Sequence, residues 1–114
     1  MAVVTIEVAS LEQVKKRTSA AFRGEPQGEF ITFLTMDLMW KTLTQPRFAL
    51  IEAMAGKGPM SLRAAARLVG KDVKTVHGDA HALLRHGILK KNAKGQIVFP
   101  YDAIHVDFMV PAAA

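Results

Sequence analysis

The sequence predicts an α+β fold in which three successive helices lead into a basic hairpin, with strands on either side. Three observations predict it. Apolar residues alternate strictly at Val4-Ile6-Val8 and at Ile104-Val106-Phe108-Val110, the period of a half-buried strand. Between them, three stretches carry helical apolar spacing, each opened by a capping residue and closed at or near a glycine. At 114 residues, half of them hydrophobic, the chain suits one packed core and not a disordered tail.

Residues 1–43 read as a β-α-β extension. Val4, Ile6 and Val8 alternate with Val3, Thr5 and Glu7 in a first strand. Ser10 stands where an N-cap belongs, and Leu11, Val14, Thr18, Ala21 and Phe22 follow at helical spacing. Gly24-Glu25-Pro26-Gln27-Gly28 is a turn, Phe30 to Leu34 a second strand, and Met36 to Leu43 a short helical turn.

Residues 44–100 hold the helical unit. Thr44 caps a helix from Gln45 to about Ala55, with Pro46 tolerated in the first turn and Phe48, Ile51, Met54 and Ala55 on one apolar side. Ser61 caps a short helix, Leu62 to Val69, closed by Gly70. Asp72 caps a third, running to about Arg85, whose apolar stripe is Val73, Val76, Ala80, Leu83 and Leu84. Ile88 to Lys91 and Gln96 to Phe99 flank a turn at Asn92-Ala93-Lys94-Gly95, which makes a hairpin. Residues 101–114 supply a last strand and a tail. The order helix, helix, Gly-containing turn, helix, basic hairpin is that of a winged helix-turn-helix.

Charge follows the same boundaries. Net charge is +5, yet residues 57–94 hold nine Lys or Arg against only Asp72 and Asp79. A positive field confined to one segment of a single domain is what a face meeting a polyanion needs; the alternative is a basic but idle surface. On a helical wheel, Val76 and Ala80 centre the apolar stripe of the third helix. The opposite side then shows Lys74, Thr75, Gly78, Ala82 and Arg85, with His81 on its flank and Lys71 just before the cap. Lys74 and Thr75, in the first turn, are best placed for base edges, and Arg85 for phosphate. Arg63 and Arg67, four apart, share the outer face of the preceding helix, and Ser61 opens it where backbone N–H groups could hold a phosphate. Lys91, Asn92 and Lys94 form the tip of the wing.

Other chemistry is poorly served. There is no cysteine, so neither a disulfide nor a thiolate metal site is available. His77 and His81 are four apart with Asp79 between them and His86 nearby, but Gly78 replaces the glutamate of a zinc-protease pattern. His77 leans to the apolar side of the wheel, which favours a packed histidine over a ligand, and no third ligand is evident. No serine, histidine and acid suggest a joint catalytic site. The expectations are a protein without enzymatic activity, metal or cofactor. Arg47 falls on the inner side of its helix and needs a partner, for which Asp79 is the candidate. No apolar run is long enough to cross a bilayer, and the opening Met1-Ala2-Val3-Val4-Thr5-Ile6-Glu7 lacks the marks of a secretory signal, so the cytoplasm is the expected location.

From Gly24 to Val110 the chain resembles the small winged-helix transcriptional regulators of bacteria and archaea described as MarR-like. The residues that carry the resemblance are Gly24-Glu25-Pro26, Phe30-Ile31-Thr32-Phe33, Leu43-Thr44-x-x-Arg47 and Gly58-Pro59-x-Ser61-Leu62-Arg63. They continue through Gly70-Lys71-Asp72-Val73-Lys74-Thr75-Val76-His77-Gly78-Asp79, Gly87-Ile88-Leu89, Gly95-Gln96-Ile97-Val98 and Pro100-Tyr101-Asp102-x-Ile104-x-Val106. The resemblance implies double-stranded DNA as partner and a repressor as function. It also implies a neighbouring toxin gene, whose product this chain would neutralise while repressing their common operon. The chain departs from the family at Val76-His77-Gly78-Asp79, where an arginine is usual in place of Gly78; Lys74 and His81 are the candidates to compensate. Two functions are therefore expected to compete. One is a sequence-specific, homodimeric (auto)repressor whose strands at Val3–Val8, Phe30–Leu34 and Ile104–Val110 are candidate dimer surfaces. The other is an antitoxin acting by direct protein binding, with Met36-Asp37-Leu38-Met39-Trp40 and Phe108-Met109-Val110 as an adaptable surface.

Overall fold

A computed structural model describes residues 2–24 and 28–110. The turn expected at Glu25-Pro26-Gln27 and the tail from residue 111 lie outside the described residues. The architecture is α+β. In chain order the elements are β1 (Val3–Val8), α1 (Leu11–Phe22), β2 (Glu29–Phe33), α2 (Met36–Thr42), α3 (Gln45–Met54), α4 (Leu62–Val69), α5 (Val73–Arg85), β3 (Lys90–Lys91), β4 (Ile97–Val98) and β5 (Ala103–Asp107).

Local chemistry sets the helix starts. Ser10 and Gln13 form a reciprocal capping box: the serine hydroxyl accepts from Gln13 N–H at 3.2 Å and Gln13 Oε1 accepts from Ser10 N–H at 2.8 Å. Thr35, Ser61 and Asp72 each accept from a backbone N–H three residues on, at 3.1, 3.1 and 2.8 Å. Thr44 occupies the N-cap of α3 but makes no side-chain cap bond, because Pro46 removes one of the two N–H groups a cap could bind. Gly70 ends α4 at φ +68°, a left-handed conformation that suits glycine.

The strands expected in separate segments meet in one parallel sheet of order β2-β1-β5. β1 pairs with β2 from Val4↔Glu29 to Val8↔Phe33 and with β5 from Val3↔Ala103 to Glu7↔Asp107. The Ala2 carbonyl accepts from Asp102 N–H at 2.7 Å, and Asp102 Oδ2 accepts from Ala2 N–H at 2.7 Å, so residues 100 apart are clasped at the head of the sheet. One buried cluster runs from Val4, Ile6 and Phe33 of the sheet through Leu50 and Met54 of α3 to Val76, Ala80 and Leu83 of α5. Ile88, Leu89, Ile97 and Phe99 close it beneath the hairpin.

The fold corrects several expectations. β3 and β4 are two residues each instead of four, and the hairpin is extended by a bridge from Ile97 to Met60. β5 ends at Asp107, leaving Met109 and Val110 exposed beyond it. Met39 is buried in the core, so it does not belong to an adaptable surface. Ala82, expected on the free side of α5, is only 2 % exposed. It lies one turn before His86, whose ring sits 5.4 Å from that of Phe33, so the covered part of α5 is wider than a single apolar stripe. Val73, expected in the apolar stripe, is 40 % exposed in the first turn.

Candidate functional site

α5 is held on its buried side and presents the other. Val76, Ala80, Ala82 and Leu83 are its buried residues. Lys74, Gly78, His81 and Arg85 follow one another at i, i+4, i+7 and i+11, a single stripe along the helix. Lys74, Gly78 and Arg85 are exposed and His81 is half-buried. Thr75 is exposed beside the stripe, and its hydroxyl donates to Asp72 Oδ2 at 3.1 Å while its N–H is capped by Asp72 Oδ1. These two bonds from Thr75 hold the Asp72 carboxyl below its ordinary range, with the backbone N–H the larger cause.

A fixed ion pair sets how α5 sits. Arg47 Nε donates to Asp79 Oδ1 at 3.1 Å, the partner expected from the helical wheel, and its Nη1 donates to the Thr42 carbonyl at 2.9 Å. One guanidinium thereby ties the end of α2 and the start of α3 to the middle of α5. Its cost of partial burial is met by partners on two other elements, α2 and α5.

The remaining candidates flank this helix. Ser61, Arg63, Arg67 and Lys71 are exposed on and after α4, and Lys91 and Lys94 are exposed on the hairpin. Among the described residues, no ion pair engages Arg63, Arg67, Lys71, Lys74, Arg85, Lys91 or Lys94, whereas Arg17, Lys41 and Arg47 each face a carboxylate. Lys91 and Arg85 both bear electrostatically on His81, so the hairpin strand next to the turn lies near the stripe. Asn92 has a different duty. Its Oδ1 accepts from Lys94 N–H at 3.0 Å and Gln96 N–H at 2.9 Å, and its Nδ2 donates to Gln96 Oε1 at 3.0 Å. The side chain is spent on shaping the turn that presents Lys94.

The histidines differ from expectation. His77 is exposed and not packed in the core, with its ring centroid 4.0 Å from that of His81. The i, i+4 spacing signalled the pair, but the side of the helix on which it lies depended on which neighbours cover α5. Partial burial, and then the nearby charges of His77, Lys91 and Arg85, hold His81 below the ordinary imidazole range. Among the described residues no group of three or more His, Cys, Asp or Glu could hold a metal ion. Gly78 is required neither by conformation nor by packing, because a Cβ there would meet nothing within 4 Å.

A second polar site went unread in the sequence. Glu7, only 8 % exposed, accepts from the Thr32 hydroxyl at 2.9 Å and pairs with Arg17, whose guanidinium lies 3.8 Å over the Phe30 ring. Glu7 and Arg17 border an open cleft of about 400 Å³ at the carboxyl ends of β1 and β5, completed by Asp107 and Phe108. The strand pattern gave no sign of it, since Glu7 occupies an outward-alternating position.

A family model described as HVO_A0114 matches residues 42–106, more than half of the chain and the whole span from the end of α2 into β5. No curated protein and no solved structure matches the chain. Among the described residues, no helix is long and apolar enough to cross a membrane.

Proposed function

The chain belongs to the HVO_A0114 family, and we propose that it is a sequence-specific DNA-binding transcriptional regulator that represses as a dimer. In this reading α3, α4, α5 and the β3-β4 hairpin form a winged helix-turn-helix. α5 enters the major groove, Lys74 and Thr75 approach base edges, and Arg63, Arg67, Lys71, Arg85, Lys91 and Lys94 meet phosphates. The observation that carries it is the stripe Lys74, Gly78, His81 and Arg85 on a helix anchored from behind, whose cations have no carboxylate partner among the described residues. A cation that the fold leaves unpaired is free to release counterions from a nucleic-acid backbone. Gly78 fits the reading, since a helix without a side chain there can bring its backbone nearer the groove floor.

The test is binding to the DNA upstream of the protein's own gene, titrated against a scrambled duplex of equal length. Repression of that gene predicts tighter binding to the native duplex, with the preference reduced by Thr75→Ala and Lys74→Ala. Equal affinity for both duplexes would contradict sequence-specific recognition at that site. A second reading is direct binding of a partner protein, in the manner of an antitoxin. It is favoured by Trp40, 53 % exposed and packed edge-on against Phe108 at 5.8 Å, next to exposed Leu38 and Met109. Co-purification with the product of an adjacent gene, abolished by Trp40→Ala, would support that reading over the first.

A further inference from the structure

We infer that the outer edge of β5 is the homodimer interface, where two copies pair antiparallel through Ala103–Asp107 and join their three-stranded sheets into one of six strands. The need for two copies rests on the DNA-binding reading; the choice of edge does not.

The backbone of β5 has a free side. Ala9 N–H donates to the Phe33 carbonyl at 3.1 Å, so odd-numbered residues of β1 serve β2 and even-numbered ones serve β5. In β5 the odd-numbered residues answer, beginning with Ala103 N–H to the Ala2 carbonyl at 3.4 Å. The N–H and C=O groups of Ile104 and Val106 consequently point away from β1, to the outer edge. Ala103-Ile104-His105-Val106-Asp107 carries no proline, lysine or bulge, three of the devices by which exposed edges avoid pairing.

The opposite edge is differently placed. Phe30 of β2 carries the Arg17 guanidinium over its ring though it is itself 37 % exposed, and Phe33 is buried with its ring 5.4 Å from that of His86. β5 is open on both faces: one borders the cleft with Glu7 and Arg17, and the other a groove of about 310 Å³ lined by Phe48, Ile51, Phe99, Ile104 and Val106.

A second copy of β5 complements both faces. With His105 on the two-fold axis, Ile104 opposes Val106 of the second copy, and these two residues exchange backbone hydrogen bonds on each side of the axis. Their side chains extend the apolar groove, and Val106, 39 % exposed in the single chain, gains cover. On the other face, His105 lies diagonally across from Asp107 of the second copy, twice by symmetry. Asp107 has no ion pair among the described residues, and the imidazole supplies a donor for it. The alternation of apolar and polar residues is thus complementary to itself, as a two-fold interface requires. The axis stands perpendicular to the sheet, so the helical units packed on the Val4-Ile6 face lie on one side of the dimer, and both α5 stripes with them.

The chain contains no cysteine, so one introduced thiol is unambiguous. Opposed residues of a non-hydrogen-bonded antiparallel pair lie about 4.5 Å apart at Cα, within disulfide reach. Wild-type protein is expected to sediment as a dimer at micromolar concentration. His105→Cys is expected to form a covalent dimer on oxidation, while Glu29→Cys on the β2 edge is not. Val106→Lys is expected to sediment as a monomer with an unchanged circular dichroism spectrum and a Tm that no longer depends on protein concentration. A monomeric wild type, cross-linking through Glu29→Cys and not His105→Cys, or a folded Val106→Lys that remains dimeric would each overturn the assignment. None of these measurements contains DNA, so a failure here leaves the DNA-binding reading standing, and the reverse.

Discussion

α1 and α5 are helices of twelve and thirteen residues, both capped at the N-terminus and both bearing several cations, yet they are held in opposite ways. α1 buries none of its side chains and is fixed by its capping box and by the reach of Arg17 to Glu7 and Phe30. α5 buries four residues, packs against both α3 and α4, and is pinned at its centre by Arg47. α1 spends its best-placed cation on its own sheet, whereas Lys74 and Arg85 of α5 are exposed and in no ion pair among the described residues. A helix that must place side chains against a ligand needs a rigid seat, and the core supplies it only to α5.

The largest break in this contrast should come from its seat. Leu83→Ala removes a fully buried side chain of α5 and should cost about 3 kcal/mol, seen as a lower urea midpoint. Val14→Ala in α1, a half-buried position, should cost less than about 1 kcal/mol. Comparable losses at the two sites would mean that α1 is also seated on the core.

Asp79→Ala leaves the Arg47 guanidinium without its carboxylate and should cost about 2 kcal/mol, measured by thermal unfolding. Because Arg47 also bonds the Thr42 carbonyl, the loss should fall short of a fully buried charge left unpaired.

Gly78→Ala should act in the other direction. The position is open and has no special backbone conformation, so replacing helix-interior glycine should stabilise by about 1 kcal/mol and raise Tm by about 4 °C. If Gly78 permits close approach to DNA, the same variant should bind its operator more weakly while being more stable. Gains in both would remove that role from the glycine.

The smallest effect is expected from pH. His81 has its folded pKa held below 6.5, so its contribution to stability is full above 6.5 and declines as pH falls through the lowered value. A phosphate beside it favours the imidazolium, so DNA affinity should rise as pH falls from 7.5 to 5.5, and His81→Gln should flatten that rise. An unchanged slope in the variant would place His81 away from the backbone.

The contrast between the two helices was partly legible in the sequence. Capping residues, apolar periods and the confinement of charge to residues 57–94 located every helix to within a residue or two, and the inward position of Arg47 identified Asp79 across the fold. The failures share a cause. A wheel treats a helix as having one covered side, so it placed Ala82 in the open and His77 in the core; the first is buried and the second is exposed beside His81. Pairing of β1 with β5 joins residues about 100 apart, which alternation cannot specify, and with it went the Glu7-Arg17 cleft. Asn92 was read for its position at a basic tip, when its side chain is consumed by the turn.

The most direct test of the central claim compares salt dependence on the two helices. Operator affinity should be measured between 50 and 300 mM salt for wild type, Lys74→Ala with Arg85→Ala on α5, and Lys15→Ala with Lys16→Ala on α1. If α5 meets the duplex, its double variant binds more weakly and the slope of log K against log salt falls by about 0.9 for each phosphate it no longer neutralises, while the α1 variant matches wild type. An α5 variant with the wild-type slope, or an equal loss on α1, would contradict it.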